Sequence, residues 1–155
     1  MYSNKLVCDI LEYIDTFLYT KIKVEDLEHN FFYNRYYIMK LFKKEIGITI
    51  FEYINKYKIY NSIKELNTTN SLLIKTALNN GFYSLEYFSE IFKKEIGISP
   101  KQYKKIILNR QINNDKLSII TTNIININKL IDFTNRYKQN RKRDITPVKK
   151  LSIFN

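Results

Sequence analysis

The sequence predicts an all-α protein, and three observations support that prediction. The chain has 155 residues, of which 45% are hydrophobic, enough for a packed core. It contains only 3 Gly and 2 Pro, too few turn residues for a sheet of many short strands. A stretch with helical spacing of apolar residues also occurs twice. We therefore expect about seven helices in two helix-turn-helix subdomains joined by a long linker helix, followed by a basic C-terminal extension.

The repeat carries most of the information about the fold. The run Phe-Lys-Lys-Glu-Ile-Gly-Ile at residues 42–48 recurs at residues 92–98, at an offset of 50. Seven consecutive identities do not arise by chance, so the chain contains two copies of one supersecondary unit. The same offset also pairs tyrosines, namely Tyr33 with Tyr83, Tyr37 with Tyr87 and Tyr53 with Tyr103.

Each copy is predicted to be a short helix, a tight turn and a longer helix. The longer helices carry apolar residues at i, i+3 and i+4, as in Ile38, Leu41 and Phe42. Asn34 and Ser84 suit their N-caps. Left-handed glycines suit the position after each helix, which Gly47 and Gly97 occupy. These signals place the first helix-turn-helix at about 24–46 and the second at about 71–96.

Three more helices complete the predicted domain, which spans residues 1–108. The linker helix runs from about 50 to 66, after Thr49 as its N-cap. An opening helix covers about 4–19 and a closing helix covers 100–108, with Pro100 at its first position.

The net charge of +11 predicts a polyanionic partner, either nucleic acid or an anionic membrane surface. The charge is uneven: residues 1–108 hold 16 Lys/Arg against 12 Asp/Glu, and residues 109–155 hold 10 against 3. The basic, Ile/Asn-rich extension at 109–155 leaves several alternatives open. It is a partly disordered segment that adds non-specific DNA affinity, or it packs through 119–133 as a further helix or strand, or it begins a further domain that the chain truncates.

Other classes of protein are disfavoured. Cys8 is the single cysteine and His29 the single histidine, so one chain cannot assemble a Cys/His metal site. We see no phosphate-binding glycine loop and no nucleophile–base grouping, so we expect neither an enzyme nor a cofactor. The N-terminus lacks a signal-peptide apolar core, and no run of 18 uncharged apolar residues occurs. A cytoplasmic protein is therefore expected.

The repeated unit resembles the DNA-binding region of the AraC/XylS family of bacterial transcription regulators over residues 5–108. In the second unit the matching positions are Gly81-Phe82, Ser84, Tyr87-Phe88, Phe92-Lys93-Lys94, Gly97, Ser99-Pro100 and Tyr103. In the first unit and linker they are Leu41-Phe42-Lys43-Lys44-Glu45, Gly47, Tyr53 and Lys58. Thr76 and Asn80 stand where the family often has aliphatic residues, and Glu28 stands where a small residue is usual.

The resemblance implies a sequence-specific regulator that binds double-stranded DNA, associates with the nucleoid and activates transcription through RNA polymerase. It sets two recognition helices into successive major-groove segments. Few residues precede the first helix, so no small-molecule effector domain is expected.

The face of the first recognition helix opposite its apolar stripe presents candidate DNA contacts. The resemblance assigns base contacts to Tyr36, Met39 and Lys40, of which the first two suit thymine methyls. The corresponding face of the second helix presents Leu85, Glu86, Ser89 and Glu90. A glutamate accepts a hydrogen bond from cytosine N4, but we favour weak docking of this helix with mostly backbone contacts. Phosphate contacts are predicted for Arg35, Lys43, Lys44, Lys58, Lys93 and Lys94, together with the N-terminal amides of both helices.

Two alternatives remain open at this point. The chain is a basic protein that binds nucleic acid without sequence preference, or a helical adaptor that binds a partner protein. The ratio of specific to non-specific affinity, ~10³ or more for a regulator, distinguishes the first alternative. Negligible binding to duplex DNA at low salt distinguishes the second.

Overall fold

The computed structural model describes residues 4–109 and 114–144, and every regular element within these ranges is an α-helix, which confirms the all-α prediction. The described helices are α1 (Lys5–Phe17), α2 (Val24–Phe31), α3 (Arg35–Ile46), α4 (Ile50–Thr68), α5 (Leu73–Asn79), α6 (Leu85–Ile96), α7 (Pro100–Asn109) and α8 (Asn114–Asp144). The first seven correspond to the predicted helices, and α8 is additional.

Local signals in the sequence fix where the helices begin and end. Thr49 and Glu52 form a capping box at the start of α4, in which Thr49 Oγ1 accepts from the Glu52 amide at 3.2 Å. Gly47 ends α3 in the left-handed region at φ +93°, where a side chain is disfavoured. Gly97 ends α6 in the same way at φ +98°. The two longer helices of the repeat are therefore terminated alike.

The interior is aromatic at equivalent places in the two units. Phe42 packs edge-on against Tyr53, with ring centroids 5.7 Å apart. In the second unit the equivalent residues Phe92 and Tyr103, each 50 positions later, also pack together, with ring centroids 5.5 Å apart. All four residues are buried, and aromatic pairs in such tilted geometry stabilise a core by about 0.5–1.5 kcal/mol beyond the area they bury. Each recognition helix is thus held against the helix that follows it by the same contact.

A polar network joins α4 to α5. The carboxylate of Glu65 accepts hydrogen bonds from Thr76 Oγ1 at 3.1 Å and from Asn80 Nδ2 at 2.9 Å. Asn79 Nδ2 also donates to Glu65, at 3.1 Å. Thr76 and Asn80 are buried, and Glu65 satisfies their donors. The two departures from the aliphatic family pattern are therefore accommodated by one acceptor on the linker helix.

Residues 114–144 of the extension form α8, which packs against α1, α4 and α6. Ile120, Ile127 and Ile131 are its buried apolar positions. Of the alternatives for the extension, the structure has the further helix in this part of the chain. The helix α8 extends well beyond the expected 119–133 at both ends. Residues 110–113 and 145–155 of the extension lie outside the described residues.

Candidate nucleic-acid interface

The first recognition helix, α3, is anchored by one face and exposed on the other. Its N-cap Asn34 accepts a hydrogen bond from the Tyr36 amide at 2.8 Å, and Ile38, Phe42 and Ile46 are buried. On the opposite face the Tyr36 side chain is 79% exposed and Lys40 is exposed. Met39 is half-buried and packs partly against the core. The three predicted base contacts of α3 therefore lie on its accessible side, with Met39 the least accessible.

The second recognition helix, α6, repeats this arrangement with different outer residues. Ser84 Oγ accepts from the Tyr87 amide at 3.1 Å, and Phe88, Ile91, Phe92 and Ile96 are buried. Glu86 and Glu90 are exposed, whereas Leu85 and Ser89 are half-buried. The accessible surface of α6 in its first two turns is therefore acidic, unlike that of α3.

Stacked tyrosines mark the start of both recognition helices. Tyr33 stacks on Tyr37 with ring centroids 5.3 Å apart and planes inclined by 26°. Tyr83 stacks on Tyr87 with centroids 4.7 Å apart and planes inclined by 15°. The two pairs occupy equivalent positions, so a stacked tyrosine pair lies at the start of each recognition helix.

Four of the predicted phosphate contacts are accessible. Lys43 and Lys44 lie in the last turn of α3, Lys93 and Lys94 lie in the last turn of α6, and all four are exposed. None of them forms an ion pair in the ranges that the structure describes. Their ammonium groups are therefore available to a polyanion at matched places on the two units.

Arg35 is engaged within the protein. Its Nη2 atom donates to Glu28 Oε2 at 2.8 Å, its Nε to Oε1 at 3.2 Å, and its backbone amide to Oε1 at 2.8 Å. These hydrogen bonds hold the pKa of Glu28 below its ordinary value. Arg35 thus anchors the start of α3 to α2, which argues against the predicted phosphate contact. The N-terminal backbone amides of α3 were also predicted to contact phosphate. The first two of them, those of Arg35 and Tyr36, donate instead to Glu28 and Asn34, which argues against that contact as well.

Lys58 is also engaged within the protein, which argues against its predicted phosphate contact. This side chain is only 8% exposed, and its Nζ atom donates to the carbonyl oxygen of Gly81 at 2.9 Å. Nζ also lies 5.7 Å from the ring centroid of Phe82, within the range of a cation–π contact. Burial lowers the pKa of Lys58. Lys58 therefore joins the linker helix to the second unit.

One exposed residue was not anticipated from the sequence. Phe32, in the turn before α3, has φ +58° and a side chain that is 89% exposed. Phe82, at the same place in the second copy, is 2% exposed. The left-handed residue of the second turn is Gly81 instead, one position earlier, and this shift turns Phe82 inward. Both copies have a Phe-Tyr pair at this place, at 32–33 and 82–83, but the glycine that precedes the pair occurs only in the second copy and is the signal that distinguishes them.

Within 4–109 and 114–144 no cluster of His, Cys, Asp or Glu is suited to hold a metal ion. Among the same residues, no helix combines the length and apolarity needed to cross a membrane.

Two helix-turn-helix units with equivalent caps, aromatic contacts and outward faces define a DNA-binding protein of the double helix-turn-helix class. The model of the helix-turn-helix domain family matches residues 28–106, just over half of the chain. The chain belongs to the AraC-type family of DNA-binding transcription regulators, which confirms the resemblance inferred from the sequence.

Curated relatives share part of the chain. It is 31% identical over 77 residues to the HTH-type transcriptional activator AarP of Providencia stuartii, a match that covers 50% of this chain and 57% of AarP. It is 35% identical over 66 residues to the transcriptional regulatory protein HptR of Staphylococcus aureus, covering 43% of this chain and 26% of HptR. The chain therefore spans little more than half of AarP and about a quarter of HptR.

Solved structures share the fold. A protein of unknown function from Listeria innocua is 30% identical with a TM-score of 0.62, covering 66% of this chain and 98% of that one. The DNA-binding domain of AdpA, solved in complex with a target DNA, is 17% identical with a TM-score of 0.62, covering 70% and 100%. The C-terminal domain of AraT from Geobacillus stearothermophilus is 24% identical with a TM-score of 0.64, covering 74% and 93%.

Proposed function

We propose that this chain is a sequence-specific regulator that inserts α3 and α6 into successive major-groove segments on one face of double-stranded DNA. The observation that carries the proposal is the equivalent setting of the two helices. Both have a polar N-cap, a stacked tyrosine pair, a buried inner face and two exposed lysines in the last turn. Major-groove segments on one face of a duplex recur about every 34 Å, so a duplex offers two equivalent binding places to two equivalent reading helices.

In this proposal α3 supplies most of the base contacts. Tyr36 and Lys40 are exposed on its outer face, and Met39 lies between them. Tyr36 and Met39 offer apolar surface to thymine methyls, and Lys40 donates to guanine O6 or N7. A good pairing of this kind is worth about 1–3 kcal/mol of discrimination between bases.

The role proposed for α6 is smaller. Glu86 and Glu90 are its exposed outer residues, and carboxylates are repelled by the phosphates that line the groove. A glutamate in the groove accepts a hydrogen bond from cytosine N4, which limits α6 to sites with a cytosine at that place. The half-buried Leu85 and Ser89 add contact only where α6 docks closely.

The affinity proposed for the complex comes largely from lysines. Lys43, Lys44, Lys93 and Lys94 are exposed and free of ion pairs in the described chain, so each is able to neutralise a phosphate. Each neutralised phosphate steepens the dependence of log K on log salt by about 0.9. The two pairs lie at the ends of the reading helices, where backbone contacts fix their register on the duplex.

Activation of transcription is the proposed outcome of binding, through contact with RNA polymerase. The relative AarP is itself described as a transcriptional activator, which supports this direction. Transcription in vitro from a promoter that carries the selected site measures it. More transcript with the protein than without supports activation, and less transcript indicates repression.

The central test is selection from a pool of random duplexes at moderate salt, with sequencing of the recovered DNA. Two enriched motifs about one helical turn apart are the expected result. One enriched motif would leave α3 as the only reading helix. No enrichment, with affinity that collapses as salt rises, would indicate the non-specific alternative and overturn the proposal.

The adaptor alternative draws support from one observation, the acidic outer face of α6 formed by Glu86 and Glu90. If α6 binds a partner protein, its outer face does not approach DNA phosphates, and the two glutamates there cause no repulsion. Negligible duplex binding at low salt would favour this alternative over a regulator.

A further inference from the structure

We propose that α8 braces the two recognition helices against each other, so that the protein selects operators by the distance between their two half-sites. This inference rests on the proposed function, because it assigns a specificity to the same two reading helices. The family model ends at residue 106, so α8 lies outside the part of the chain that it matches.

Two polar contacts attach α8 directly to the two recognition helices. Near its middle, Asn123 Nδ2 donates to the carbonyl oxygen of Ile96, the last residue of α6, at 3.0 Å. Further along, the Tyr137 hydroxyl donates to Glu45 Oε2, in the last turn of α3, at 3.0 Å. The contacts are made at equivalent ends of the two helices. The 14 positions from Asn123 to Tyr137 correspond to about 21 Å of helix at 1.5 Å per residue.

Between these attachments α8 runs along the linker helix. The Tyr53 hydroxyl on α4 and Thr134 Oγ1 on α8 form a buried hydrogen bond of 3.0 Å. Ile127 and Ile131 are buried one turn apart on the same side of α8. A linker of one helix bends and twists along its length, whereas two packed helices resist both motions. The two units are therefore joined by a pair of helices and not by α4 alone.

The far end of α8 is fastened to α1. Lys138 forms an ion pair with Asp15, and Arg141 forms one with Asp9. The Tyr137 hydroxyl also accepts from the Asn4 amide at 2.9 Å. Ion pairs near the surface weaken with salt, whereas the buried isoleucines and the neutral hydrogen bonds of Asn123 with Ile96 and of Tyr53 with Thr134 do not. These contacts hold α8 in place at the salt concentrations at which specific DNA binding is measured.

A rigid pair of reading helices penalises operators with the wrong spacing. Moving one half-site by a single base pair shifts it by about 3.4 Å and rotates it by about 34–36° around the duplex. A braced protein cannot follow that shift, so the DNA must deform or α8 must detach. A protein with a flexible linker follows it at little cost. Spacing selectivity is thus the property that the brace confers.

The first test compares spacing profiles. Affinity is measured for the selected operator and for versions with one base pair added or removed between the half-sites, using the full chain and its Asn123→Ala/Tyr137→Phe variant. The full chain is expected to lose at least tenfold on each altered spacing, and the variant less than threefold. The control is Thr122→Ala/Asn140→Ala, which changes two exposed positions of α8. An identical profile for the variant and the full chain overturns the inference.

The second test needs no DNA and therefore separates this inference from the proposed function. Nitroxide labels are placed at Lys44→Cys and Lys94→Cys, with the buried Cys8 replaced by Ser, and the distance distribution is measured in the free protein. Asn123→Ala/Tyr137→Phe is expected to broaden that distribution while circular dichroism shows the helices intact. An unchanged width overturns the brace, and so does a variant that loses its helices altogether, because the two polar contacts would then support folding and not spacing.

Discussion

The Nζ atom of Lys58 lies 2.9 Å from the carbonyl oxygen of Gly81, so that a lysine in the middle of the linker helix supports the turn that precedes the second recognition helix. Gly81 in turn lies against the chain just after α1: a Cβ atom built on it would stand 2.8 Å from the Cα atom of Tyr19. The linker, the second unit and the end of α1 meet at this one glycine.

Lys58→Met keeps an unbranched side chain, one atom shorter than that of lysine, and removes the ammonium donors. The carbonyl of Gly81 then loses this partner in a partly buried site, so the free energy of unfolding is expected to fall by about 1–3 kcal/mol, measured by urea denaturation. The salt dependence of DNA binding should not change. The control Lys43→Met is expected to leave stability unaltered and to flatten the slope of log K against log salt by about 0.9. A flatter slope of log K against log salt for Lys58→Met would indicate that Lys58 does contact a phosphate.

Gly81→Ala and Gly47→Ala form a matched pair of substitutions. Both glycines have positive φ, so both variants bear the left-handed penalty of about 1–2 kcal/mol. The Cβ at Gly47 meets nothing within 4 Å, whereas the one at Gly81 overlaps the backbone of Leu18 and Tyr19. Overlap adds about 1–3 kcal/mol, so Gly81→Ala is expected to lower the free energy of unfolding by that much more. Equal losses in denaturant titrations would contradict the close approach.

Phe32→Ala and Phe82→Ala compare the same residue type at equivalent places of the repeat. Phe82 is buried, and truncating it is expected to lower the free energy of unfolding by about 3–5 kcal/mol. Phe32 is exposed, and truncating it should change that free energy by no more than about 0.5 kcal/mol. Thermal or urea unfolding of the two variants decides the point, and a large loss for Phe32→Ala would mean that its ring packs on the protein.

The ion pair between Glu28 and Arg35 predicts a pH dependence of stability. Hydrogen bonds from the Arg35 side chain, and then from its amide, lower the pKa of Glu28 in the folded protein. A depressed carboxyl pKa contributes stability above its unfolded value, ordinarily 4.5, and that contribution is lost as the pH falls through the folded value. The difference in melting temperature between the wild type and Glu28→Gln should therefore be constant near pH 7 and shrink below about pH 4.5. A difference in melting temperature that does not vary with pH would refute the contribution of the ionised Glu28 to stability.

The two reading helices are expected to contribute unequally to DNA binding. Lys40→Ala on α3 should cost about 1–3 kcal/mol at the selected site, because a base contact is lost. Ser89→Ala on α6 should cost less, since Ser89 is half-buried between acidic neighbours. Equilibrium binding to one duplex measures both variants. The ranking is wrong if Ser89→Ala proves the more costly.

The sequence predicted the features of the fold that depend on short-range patterns. The caps at Thr49 and Gly47, and the apolar stripe through Ile38 and Phe42, are local signals, and the structure has them where they were expected. The outer face of α3 followed from the inner one, because a helix with a buried stripe exposes its opposite side. That geometry placed Tyr36 and Lys40 on the exposed side, and the family resemblance singled them out as candidate base contacts.

The features that the sequence did not predict depend on contacts between distant residues. Lys58 is buried because Gly81, 23 positions later, presents a carbonyl to it, and its own neighbours in the chain give no sign of this. Arg35 meets a carboxylate in the preceding helix. The stripe of α8 is interrupted by Asn and Thr, so its spacing favoured no single structure, and its partners Glu45 and Ile96 lie far back in the chain.

The glutamate of the repeated heptapeptide has acquired a different partner in each copy. Glu45 receives the Tyr137 hydroxyl from α8, whereas Glu95 forms an ion pair with Lys56 of α4. Identical residues therefore do not make the two copies interchangeable parts. A chimaera in which the first copy replaced the second would retain all seven shared residues. Its other residues would come from the first copy, whose contacts with α4 and α8 are different. The two copies therefore differ in the residues that they contact, although the seven residues of the repeat are identical in both.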